Sequence, residues 1–159
     1  MQRLLITLAL LSACTPSDAP RIKPAAVPPL QPAVVVNVPD IAGRSEAEVA
    51  QILGGPKERS TATYDGKTYP VLYYQEAQTE VIYVDGEAEW ISVRNLNHLP
   101  FSPEALPALG FTNAGEPSFA NPGVIRWENR KYPPLHGIYL FPAQGGRLDH
   151  AYIQVSRAP

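Results

Sequence analysis

Three histidines, His98, His136 and His150, and the acids Asp85, Glu87 and Glu89 are the side chains of this sequence first weighed for chemistry. A zinc site needs three or four ligands around one ion, and H-x-H, H-E-x-x-H and paired-cysteine spacings do not occur. His98 lies in NLNHLP, between two patterned regions. His136 and His150 flank neighbouring strand-like runs, with Asp149 beside the latter, and read as exposed histidines at strand ends. The three acids crowd one turn, whereas a glycosidase pair must flank a cleft at a defined separation. Gly145-Gly146 lacks the lysine and helix of a phosphate loop and reads as a hairpin turn, and no serine stands in G-x-S-x-G. The expectation is a protein that is not an enzyme and holds neither metal nor cofactor.

The single cysteine, Cys14, has a different setting. Arg3 precedes the apolar run Leu4 to Leu11, and the small residues Ser12 and Ala13 lead into Cys14. This is the order of a secretory leader over 1–13, with an apolar run too short to span a bilayer as a helix. Leu11-Ser12-Ala13-Cys14 resembles a bacterial lipobox. The resemblance implies cleavage before Cys14, diacylglycerol on its sulfur and an acylated new amino terminus. Two or more chains anchor stably where one is marginal, at roughly 0.8 kcal/mol per buried methylene. Thr15 stands where an inner-membrane retention aspartate would, so the expected address is the outer membrane, facing the periplasm. The lipid bilayer is then one partner, through lipidated Cys14.

The composition sets further limits. The 159 residues carry a net charge of −2 without a basic cluster, which points away from nucleic acid. With Cys14 used for lipid, no disulfide is available, and a chain that is 45% apolar must be held by its core alone. Residues 14–40 form a tether, with prolines at 16, 20, 24, 28, 29, 32 and 39. Proline lacks the N–H and fixes φ, so a semi-extended spacer is the natural reading. A Pro-rich ligand for a partner domain is the alternative, and Val34 to Val36 could form a short edge strand.

The folded part, 41–157, reads as one pattern written twice, over about 41–95 and 99–157. In the first copy Ser45 and Glu48 make a capping box. Val49, Ile52 and Leu53 form the apolar stripe, and Gly54-Gly55-Pro56 ends the helix. Strands follow at 70–76, 80–84 and 89–93, the last two joined by Asp85-Gly86. In the second copy Ser102-Pro103 opens a short helix ending at Leu109-Gly110, with strands at 123–129, 137–141 and 150–155. The fold class expected is α+β, an antiparallel sheet backed by two short helices.

Strand parity then assigns faces. A two-residue turn at Asp85-Gly86 pairs Tyr83 with Ala88 and Val81 with Trp90. Ile82, Val84, Ile91 and Val93 face the helices, with Ile153 and Val155 in the second copy. Tyr83, Trp90, Tyr139 and Tyr152 share the other face and are the candidate binding residues. Such rings supply rigid contact area to a protein partner; alternatively they pack beneath the tether and loops. A second function reading keeps the same face for a small molecule or glycan.

The capped helix, Leu53-Gly54-Gly55-Pro56 and the strands with their Asp-Gly hairpin resemble the small SmpA/OmlA-type outer-membrane lipoproteins. These share a fold with the β-lactamase inhibitor protein, a tandem repeat of a helical element and an antiparallel sheet. The resemblance covers residues 41–94 well and 99–156 loosely. It implies a non-catalytic envelope-assembly or partner-binding role for an unidentified envelope protein. Members of the outer-membrane family carry one copy, and this chain departs from them in carrying two.

Overall fold

Two Asp-Gly pairs set the first half of the fold. Asp65 and Gly66 have φ of 53° and 72°, and Asp85 and Gly86 have φ of 53° and 85°. Positive φ at both central positions makes a tight turn whose twist matches the strands it joins. Each pair therefore closes a two-residue hairpin: Tyr64 opposite Lys67, and Val84 opposite Glu87. The computed structural model describes residues 33–76, 78–128 and 135–155. The leader, Cys14 and the tether up to residue 32 lie outside them.

Eight strands form one antiparallel sheet: β1 (Glu58–Tyr64), β2 (Lys67–Tyr74), β3 (Thr79–Val84), β4 (Glu87–Val93), β5 (Phe119–Asn121), β6 (Val124–Glu128), β7 (Leu135–Pro142) and β8 (Leu148–Val155). Their order across the sheet is β1-β2-β3-β4-β8-β7-β6-β5. Each half is a meander, and β4 pairs with β8 at the centre through Ile91↔Ile153 and Val93↔Ala151. Three short helical pieces contribute to the core on one face: α1 (Val38–Ile41), α2 (Glu46–Leu53) and a 3₁₀ segment, Pro103–Leu109. That core joins Leu72, Val81, Ile91, Ile138 and Ile153 of the sheet to Val38, Ile41, Val49, Leu106 and Leu109. Fully burying an aliphatic side chain of this size contributes roughly 1.5–3 kcal/mol.

The capping box forms as read, with Ser45 accepting from the Glu48 amide and the Glu48 carboxylate accepting from the Ser45 amide. The apolar stripe of α2 is narrower than expected. Val49 is buried, Leu53 is partly buried against the core, and Ile52 is 47% exposed. A helix of eight residues turns only two residues onto the sheet. The second helix is 3₁₀, because Pro107 stands inside it and cannot donate an α-helical hydrogen bond.

Other expectations shift at the edges. Val34 to Val36 form no strand; the Val35 and Val36 amides instead bond the Ala108 carbonyl. Val36 and Val38 are buried, so packing begins inside the segment read as tether. The proline of that stretch, Pro39, lies in the first turn of α1, where its missing N–H leaves no bond unmade. β1 and β5 lie outside the expected strands: β1 is almost all exposed and mostly polar, and β5 is only three exposed residues, so no apolar alternation marks either.

The largest departure is at β3. Tyr83 pairs with Ala88 as expected, but Trp90 pairs with Ile82, not Val81. Two residues, Glu89 and Trp90, thus stand opposite one, a β-bulge. A one-residue slip exchanges the faces of every residue beyond it. Val81 and Tyr83 turn into the core, and Ile82 faces the other way with Trp90. Tyr83 is only 3% exposed, and its hydroxyl lies 2.9 Å from that of buried Tyr74.

Gly110, at the end of the 3₁₀ segment, has φ of 87°, and a Cβ there would lie 3.0 Å from the Asn37 Cα and closer still to its side chain. Gly110→Ala combines left-handed strain with this collision. Urea denaturation should show a loss of about 2 kcal/mol or more, above the strain of the backbone alone.

Candidate functional site

The face opposite the helices is organised in rungs. One runs across the whole sheet: Glu58, Tyr73, Glu80, Ser92, Tyr152, Tyr139, Arg126 and Phe119, each opposite the next. The rung beside it holds Val71, Ile82, Trp90, Gln154, Gly137 and Glu128. Two buried aliphatic residues, Val71 and Ile82, thus stand among aromatic and polar ones on this face.

Its rings fall into two groups. Tyr64 meets Trp90 edge to face at 4.9 Å between centroids, and Tyr69 stands 6.1 Å from Trp90. Tyr139 and Tyr152 lie 5.8 Å apart as a directly opposed pair on β7 and β8. Gly137 makes room for this pair: a Cβ there would come within 2.8 Å of the Tyr139 ring. Trp90, Tyr139 and Tyr152 are half-buried, while Tyr64 is 48% exposed at its hairpin tip. Three of the four expected residues, Trp90, Tyr139 and Tyr152, therefore share the face. Tyr83 does not; its place is taken by Ile82, for the bulge described above.

Polar groups on this face are under load. Burial raises the Tyr152 hydroxyl to a pKa of about 12, with smaller contributions from Tyr64, Tyr139, Glu89 and Glu80. Trp90 Nε1 and Arg126 Nε are buried and lack a hydrogen-bond partner. A buried donor left unmatched costs roughly 1–3 kcal/mol.

Beside the tyrosine pair the face deepens into a cleft of about 550 Å³. Ser92 and Tyr152 form its floor, Arg94 and Asn95 one wall, and Phe141, Asp149 and His150 the other. The Phe141 and His150 rings are stacked, 4.7 Å apart and 16° from parallel. His150 Nδ1 lies 2.7 Å from an Asp149 carboxylate oxygen, and Arg94 is bonded to Glu80 at 2.7 Å. Asn95 leaves β4 with φ of 59°, a conformation asparagine tolerates better than most residues.

The other histidines are elsewhere. His98 is exposed, its carbonyl accepting from Arg147, and His136 is exposed where the β7–β8 register shifts. Among the described residues, no group of three or more His, Cys, Asp or Glu side chains could hold a metal ion, and no helix is long and apolar enough to cross a membrane.

Sequence reasoning missed Tyr64, Tyr69, Arg94, Asn95 and Phe141 as members of this surface. The Asp65-Gly66 pair was the available signal for the first two, since it marks a hairpin whose outward rings project beside Trp90. Comparison with protein-family models, with curated proteins and with solved structures finds no match to this chain.

The raised Tyr152 value has a measurable consequence. Its contribution to stability is complete below about pH 10, the ordinary tyrosine value, and is lost as pH rises through about 12. Spectrophotometric titration should show tyrosines that ionise late, joined by Tyr83, whose burial also pushes it up. Tyr152→Phe should remove one late-titrating group and leave the alkaline unfolding midpoint higher.

Proposed function

We propose that this chain is a lipid-anchored protein of the bacterial envelope, held at the outer membrane and facing the periplasm. There it binds a protein partner, without catalysis, through the face bearing Trp90, Tyr139 and Tyr152. The anchor rests on the residues leading to Cys14. The body is two tandem copies of a helical element and a meander, akin to the SmpA/OmlA-type lipoproteins. The mirrored strand order about β4 and β8 supports that duplication.

The observation that carries the binding role is the aromatic surface itself. Tyr64, Tyr69, Trp90, Tyr139 and Tyr152 are gathered on the side of the sheet away from the helices. Rigid rings with polar tips are what protein interfaces concentrate at their centres.

Cross-linking in the native envelope, followed by mass spectrometry, tests this. One stoichiometric protein partner should be recovered. The Trp90→Ala/Tyr152→Ala double variant should weaken it about 30-fold or more, the effect of one strong interface residue, while circular dichroism stays unchanged. A folded double variant that retains the partner would refute the assignment of the face. An uncleaved leader or an unmodified Cys14 sulfhydryl would refute the anchor.

A further inference from the structure

We infer that the cleft between Arg94 and the Phe141–His150 stack is a second site, sharing Tyr152 with the aromatic face, for an uncharged sugar, one or a few pyranose rings in size. This goes beyond the partner-binding face: it is a second site, at the rim of that face, with its own ligand.

Three features select the ligand. The first is size. At about 550 Å³ the cleft lies within the roughly 300–1,000 Å³ typical of small-ligand sites. The second is charge. Arg94, the guanidinium of this wall, already holds Glu80 at 2.7 Å, and Asp149 presents a second carboxylate, held to His150. An anionic ligand would meet the Asp149 carboxylate, with Arg94 already neutralised by Glu80; a cationic one would meet Arg94. A hydroxyl group meets neither penalty, since it donates to a carboxylate and accepts from a guanidinium. Ser92, Asn95 and the Tyr152 hydroxyl add polar groups of both kinds around the same space.

The third feature is the flat wall. The Phe141 and His150 rings, stacked so that each covers a face of the other, add flat ring surface to the lining beside these polar groups. A pyranose is the neutral ligand that combines an apolar C–H face with a rim of hydroxyls, and so matches the plate and the polar wall together. Asn95, at a φ of 59° that asparagine tolerates, lines the cleft just beyond the end of β4.

Titration of the full-length protein with chitotriose and with maltotriose, followed by amide NMR shifts, tests the inference. At least one should bind with a Kd of about 0.1–1 mM, shifting the amides of Arg94, Asn95, Phe141, Asp149 and His150. Phe141→Leu keeps an apolar side chain but removes the plate. Asn95→Gly removes the amide while suiting the positive φ. Each should weaken binding about tenfold or more, and Tyr64→Ala, on the other ring cluster, should leave it unchanged. Binding of neither sugar up to about 10 mM would overturn the proposal, as would binding indifferent to both substitutions. So would preference for an acidic peptide over both sugars. None of these results depends on whether the envelope partner is found.

Discussion

The pairing of β4 with β8 is the contact on which the rest of the molecule rests. It joins two meanders that are otherwise linked in chain order only by the segment from Arg94 to Ser118. Ile91 opposite Ile153 and Val93 opposite Ala151 make the core continuous from one half to the other. On the reverse side the same pairing sets Ser92 opposite Tyr152 and Trp90 opposite Gln154. The aromatic face spans this seam, and the cleft draws Arg94 and Asn95 from one side of it and His150 and Phe141 from the other. Neither site belongs to a single half.

The bulge at Ile82 and Tyr83 decides what the seam displays. Without it, Tyr83 would stand on the outer face and the core would lose its ring. With it, Tyr83 and Tyr74 share a buried hydroxyl contact, and Ile82 lies beneath Trp90. The inserted residue also places Glu89 near enough to contribute to the raised Tyr152 value. One extra residue in one strand therefore divides the tyrosines between interior and surface.

Much of the fold was legible because local chemistry and burial agreed. Ser45 with Glu48, the Asp85-Gly86 turn and the isoleucine and valine positions of β4 and β8 each have one comfortable arrangement, and the structure adopts it. Illegible elements were those whose placement depends on distant neighbours. β1 has no apolar alternation and is defined by β2 beside it. Val36 and Val38 look like more of a proline-rich spacer until the helical layer is present to bury them. At the site, parity placed Trp90, Tyr139 and Tyr152 correctly and failed for Tyr83, because a bulge leaves no mark in residue types. The cleft could not be read at all: Arg94, Asn95, Phe141 and His150 meet only once β4, β7 and β8 are side by side.

The strand order also constrains how the chain can be made. Six of the seven neighbouring strand pairs are hairpin partners along the chain, but the central one joins residues about 60 positions apart, as Ile91 and Ile153 show. β8 is the last of the described strands in chain order, so a chain emerging amino end first has the other seven of them in hand before the middle of the sheet can close. Until then β4 carries an unfilled edge, which is the kind that pairs with strangers. Closing a loop of that length is also the slow part of forming a sheet. The vulnerable moment in the life of this protein is thus the interval before β8 is made, and it is confined to one exposed strand.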